Sequence, residues 1–180
     1  QAALESRQAV ELLRMCLDAG YDRAQTLTAV NGMMLLAGQG ERFTTVDLFL
    51  LDLWTGKASL DKLGAAGSYL MQSEGLSLLG GDALPLGILE NVESGEKLMQ
   101  LHQGDTLILL SDGVEDAYEN RQSMEETIRD ALTLETAQDA ANAILTGAPS
   151  GDSAPADDQT VLVLRLIRAR ADAKIEEMYQ

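Results

Sequence analysis

The sequence predicts an α+β fold with a largely antiparallel sheet. Helical periodicity fills residues 1–38 and returns over 123–146. The residues between read as short apolar runs separated by tight turns, and one more such run, Val161-Leu162-Val163-Leu164, follows the second helical stretch. Helices before and after a set of hairpin-joined strands are the pattern of an α+β domain. No internal repeat and no composition shift divides the chain, so residues 1–180 are expected to form one domain, with strands over 43–112 and 159–168.

Ala9, Leu12, Leu13, Cys16 and Leu17 recur at helical spacing, and Gly20 is placed to end that helix. Asp22 and Gln25 have the spacing of a capping box, which starts a second helix with Leu27, Val30, Met34 and Leu35 on one face. The short joint makes the two helices a hairpin. After Gly38 and Gly40 a strand is expected over 44–53, a turn at Trp54-Thr55-Gly56, and a returning strand over 57–63. Further strands are expected over 69–72, 77–79, 97–101 and 106–110, with Gln103-Gly104-Asp105 turning between the last two. Residues 124–132 and 136–145 are helical by period. Gly, Pro, Ser and Asp mark 147–156 as an exposed loop, a strand over 159–167 follows, and 168–180 form a charged tail.

Composition narrows the functions. At 46% hydrophobic and 4% aromatic, the chain has a core built from Leu, Val, Ile, Ala and Met. A net charge of −16 opposes binding to nucleic acid phosphates or to an anionic membrane surface; it suits a cation or a basic partner, but a solubilising acidic surface is the simpler reading. The single Cys16 excludes a disulfide framework and a thiolate zinc site, and points to a reducing, cytoplasmic setting. No apolar stretch approaches membrane-spanning length, and no signal peptide is visible. A start at Gln1, within a helical pattern, suggests a segment of a longer protein, whose other parts are free to supply a membrane anchor.

The chemistry is concentrated at two strand ends. Ser111-Asp112-Gly113-Val114 directly follows the apolar run 107–110, and Asp157-Asp158-Gln159-Thr160 directly precedes the run 161–164. If these strands are antiparallel neighbours, Asp112 and Asp157 meet at one sheet edge. Two converging carboxylates suit a hard divalent cation, which prefers oxygen ligands.

Seven segments in order resemble a known family: residues 44–48, 52–56, 64–68 (Gly-Ala-Ala-Gly-Ser), 84–89 (Leu-Pro-Leu-Gly-Ile-Leu), 103–105, 111–114 and 157–160. They are similar to the phosphatase domain of the stage II sporulation protein E family, a bacterial branch of the metal-dependent type-2C protein serine/threonine phosphatases. Relatives in general stress signalling usually carry a Gly-His-Asn-Pro-type segment where this chain has Gly64 to Ser68 without a histidine. The Pro85 to Glu90 run also resembles the sporulation branch.

The resemblance implies a two-layer, mainly antiparallel β-sandwich flanked by helices, with two Mn2+ or Mg2+ ions held by aspartates. Asp112 and Asp157 match the family's two C-terminal metal aspartates, with Gly113 and Asp158 beside them. Paired metals would bind phosphoryl oxygens and activate a bridging water for in-line attack on phosphorus. The expected substrate is a phosphorylated protein, in the sporulation branch an anti-sigma-factor antagonist. The family's other metal elements, an early strand Asp and an Asp-Gly-Met-Gly-type loop, fall before Gln1. Weak metal binding and little activity are therefore expected of this chain alone. The alternative is a catalytically incomplete regulatory module in which the helical hairpin switches position or forms a homodimer.

Other residues carry plainer expectations. His102 is expected at a solvated strand end rather than as a general acid, Asp47 and Asp52 in hairpin polar contacts rather than on a metal, and Glu115, Asp116 and Glu119 in a charged loop and helix start rather than in outer-sphere contacts. Met33 and Met34 belong to a helix face. Gly64 and Gly67 serve either a tight turn or a close backbone approach.

Overall fold

The computed structural model describes residues 2–38, 43–81, 83–92, 94–147 and 157–167. Helices α1 (Ala2–Asp18) and α2 (Arg23–Gly38) form the expected hairpin. The capping box is present: the Gln25 N–H donates to Asp22 Oδ1 at 2.8 Å, and the Asp22 N–H donates to Gln25 Oε1 at 3.0 Å.

Strands β1 (Val46–Leu51), β2 (Lys57–Leu63) and β5 (Lys97–Gln100) make one sheet in the order β1-β2-β5. Strands β3 (Ser68–Gln72), β4 (Gly75–Leu79), β6 (Thr106–Leu110) and β7 (Val161–Arg165) make the other, in the order β4-β3-β6-β7. Every pairing is antiparallel. Helices α3 (Asp112–Glu115), α4 (Arg121–Ala131) and α5 (Ala137–Gly147) lie between β6 and β7 in the chain.

Strand alternation divides the core into three apolar layers. Leu48 and Leu63 pack on Ala9, Leu13, Leu27 and Val30 of the helical hairpin. On the opposite face of that sheet, Phe49, Leu51 and Ala58 meet Leu70, Leu107, Leu109 and Leu164 of the second sheet. The outer face of the second sheet, with Tyr69, Ile108 and Leu110, packs on Met124, Ile128, Ala140 and Ile144 of α4 and α5. The result is a sandwich of two sheets covered by helices on both sides.

Several boundaries differ from the sequence reading. The first strand spans Val46–Leu51, not 44–53, because Thr44 leaves β1 to bridge Leu86. The last strand is shorter, at Val161–Arg165; Thr160 still accepts the Ser111 N–H, but its own N–H goes to Ser111 Oγ instead of to the neighbouring strand. Helix α4 starts earlier, where Asn120 Oδ1 accepts the Ser123 N–H at 2.9 Å. Helix α5 continues to Gly147, beyond the expected 145. The single turn α3 replaces what reads as the start of a charged loop. Residues 148–156 of the expected loop, the 168–180 tail and Gly40 lie outside the described residues. Among the described residues, no helix is long and apolar enough to cross a membrane.

Candidate cation site

Strands β6 and β7 pair with Leu110 opposite Val161, so the chain leaves β6 and enters β7 at the same edge. The pairing extends one step past the strands: the Ser111 N–H donates to the Thr160 carbonyl at 3.0 Å. Ser111 Oγ then donates to the Asp158 carbonyl at 3.2 Å and accepts the Thr160 N–H at 2.9 Å. The Gln159 side-chain amide donates to the Gly113 carbonyl at 3.1 Å. These bonds hold 111–113 against 157–160.

Gly113 is where the two segments touch. A Cβ at this position would sit 2.5 Å from the Asp158 carbonyl oxygen and 3.3 Å from the Asp157 carbonyl carbon. Only a residue without a side chain permits that approach, which sets the two aspartate-bearing backbones side by side. Asp112 and Asp157 are both exposed, whereas Gly113 is buried. Each carboxylate uses Oδ1 locally, Asp112 accepting the Gly113 N–H at 2.9 Å and Asp157 accepting the Asp158 N–H at 2.8 Å. Among the described residues, no Lys, Arg or His lies within 4.0 Å of either carboxylate. Two uncompensated oxygen donors fit a hard cation; among the described residues no third His, Cys, Asp or Glu completes a cluster with them.

Asp112 also lines a cavity of about 300 Å3 at the end of the inter-sheet layer, with Thr45, Asp47, Gly64, Ala65, Ala66 and Ser111. Gly64, at φ +67°, turns the chain here, and a Cβ would lie 2.4 Å from Pro85 Cγ, so the close-approach reading of this glycine holds. Gly67 is tied to α3 by its N–H, which donates to Glu115 Oε2 at 3.4 Å. A larger cavity of about 700 Å3, lined by Asn31, Leu84, Leu89 and Glu90, contains neither Asp112 nor Asp157.

The remaining candidates separate. His102 is 71% exposed beside Asp105, as its strand-end reading expects. Asp52 caps the β1–β2 turn, its Oδ1 accepting the Trp54 and Thr55 N–H groups, and bonding to Thr55 first lowers its pKa from the ordinary value. Asp47 makes a hairpin contact with its cross-strand partner Lys62, and also faces the cavity, which sequence reasoning missed. The available signal was a charge in phase with Phe49 and Leu51 on one strand and with Ala58 and Leu60 on the next.

The profile of the stage II sporulation protein E family matches residues 1–167. This chain belongs to that family. It is 29% identical to stage II sporulation protein E of Priestia megaterium over 114 residues, 63% of this chain and 20% of that protein. The matched part of this chain thus spans about a fifth of the length of that curated relative. It is similar to the structure of the PP2C phosphatase domain and a fragment of the regulatory domain of SpoIIE from Bacillus subtilis, at 25% identity and a TM-score of 0.75, covering 91% of this chain and 50% of that one. The catalytic domain of the serine/threonine phosphatase PstP, in complex with two manganese ions, shares the fold at a TM-score of 0.67 and 19% identity, covering 90% of this chain and 82% of that one. The expected type-2C phosphatase-like sandwich is therefore the fold of this SpoIIE-family chain.

Proposed function

We propose that this chain is part of a protein serine/threonine phosphatase and that Asp112 and Asp157 hold one Mg2+ or Mn2+ ion at its active site. The antiparallel β6–β7 pairing carries this reading, because it brings both aspartate segments to one sheet edge beside an inter-sheet cavity. Both carboxylates offer an oxygen not engaged by the neighbouring backbone N–H, and manganese occupies the related fold of PstP. A divalent cation at such a site polarises a phosphoryl oxygen and lowers the pKa of bound water. The protein's own contribution is placement: Gly113 fixes the approach of the two segments, and the Ser111 bonds fix their register. The described residues around the cavity present no nucleophile and base pair, which suits attack by water without a covalent enzyme intermediate.

The substrate class is proposed from the family resemblance. The proposed substrate is a phosphoserine or phosphothreonine protein, specifically a phosphorylated anti-sigma-factor antagonist. In the full-length protein, Asp112→Asn and Asp157→Asn are each expected to lower Mn2+-dependent hydrolysis of a phosphoserine peptide by at least about 100-fold, because each removes a charged ligand. Rates equal to wild type in both variants would refute the assignment.

A further inference from the structure

Beneath the cavity lies a buried polar layer. Lys62 points between the sheets with its side chain fully buried, and its ammonium lies 2.7 and 2.9 Å from the two Asp47 oxygens and 2.9 Å from Ser68 Oγ. Ser68 in turn donates to Asp47 Oδ2 at 3.4 Å. Asp47 belongs to β1, Lys62 to β2 and Ser68 to β3, so the cluster ties one sheet to the other. Ser68 is the cross-strand partner of Leu109 in β6, three residues before Asp112. The Asp47 side chain keeps 13% exposure and lines the same cavity as Asp112.

Apolar residues fill the rest of this inter-sheet layer, and a leucine or methionine at position 62 would close it at no desolvation cost. A buried ion pair is a costly way to join two sheets, so its place directly under the cavity calls for a reason other than stability. Resting on the proposed cation site, we infer that Lys62 is a positioning residue that neutralises the Asp47 carboxylate. The pair gives the cavity a floor of fixed shape and no net charge, and Asp47 does not compete with Asp112 and Asp157 for the cation.

This assigns opposite consequences to the two charges. Asp47→Asn keeps the shape of the floor but leaves the Lys62 charge unbalanced near the site, which repels a divalent ion. Lys62→Met leaves the Asp47 carboxylate unbalanced and facing the cavity, which attracts one. At the separations within a cavity of this size, one unit charge changes cation affinity by roughly tenfold or more. The double variant Asp47→Asn/Lys62→Met restores a neutral floor and an affinity near that of wild type. A merely structural role would weaken binding in both single variants, in step with lost stability.

Mn2+ titrations of the 180-residue chain, followed by the EPR signal of the free ion, read this without catalysis. Tighter binding in Lys62→Met, weaker binding in Asp47→Asn and recovery in the double variant are expected. If Lys62→Met does not fold, weakening by Asp47→Asn with recovery in the double variant carries the same expectation. Shifts of the same sign, or no recovery in the double variant, overturn the inference while Asp112→Asn still weakens binding. An Asp112→Asn variant that binds Mn2+ like wild type would instead overturn the cation site itself.

Discussion

Gly113 tests the site at the scale of one residue. It lies in the helical turn α3, where alanine has the better intrinsic propensity by about 1 kcal/mol. A Cβ there would nonetheless meet the Asp158 carbonyl oxygen at 2.5 Å. Gly113→Ala is therefore expected to destabilise by about 1–3 kcal/mol in denaturant unfolding, against its propensity, and to push the Asp157 segment away. Stabilisation would show that the two segments are not held together as described. Tyr69 and Tyr118 give a pH prediction. Burial is the main cause raising both phenols above the ordinary value of 10.0, and Tyr118 donates to the Ile144 carbonyl at 2.5 Å. The folded state retains these protons where the unfolded chain loses them. Stability is thus complete below about pH 10 and falls as the pH rises through the raised values, with tyrosinate absorbance appearing together with unfolding.

At the scale of elements, α2 is held to the first sheet by charge. Arg23 pairs with the fully buried Asp61 of β2 and lies 2.9 Å from Glu96. Arg23→Met leaves the Asp61 carboxylate buried and unpaired, at an expected cost of about 3–5 kcal/mol, much of which Arg23→Met/Asp61→Asn should recover. A cost below 1 kcal/mol in thermal or urea unfolding would show that the pair does not hold the helix. The elements most legible in the sequence are those with local signals. Asp22 and Gln25 announce α2, and the uninterrupted runs 107–110 and 161–164 announce two buried strands. Thr44 left β1 because its partner, Leu86, lies about forty residues away, and no local pattern encodes a bridge at that distance. Asp47 and Lys62 were harder for the same reason. Each looks like a polar hairpin residue until Ser68, from the other sheet, is brought to the ammonium.

Across the whole molecule, three apolar layers stack in sequence, and the candidate site lies at one end of the middle layer. The meeting of the segments that carry Asp112 and Asp157 at one edge was legible because antiparallel pairing of two apolar runs dictates it, whereas the cavity was not, since it forms between the sheets from Thr45, residues 64–66 and Ser111. A chain of net charge −16 attracts cations over its whole surface, so binding alone does not locate the site. The most direct test is therefore Mn2+-induced broadening of backbone amide NMR signals at substoichiometric metal. Amides of 111–113 and 157–160 are expected to broaden first and together, and Asp112→Asn to abolish both effects at once. Broadening confined to one segment, or strongest at acidic positions elsewhere, would contradict a cation shared by Asp112 and Asp157.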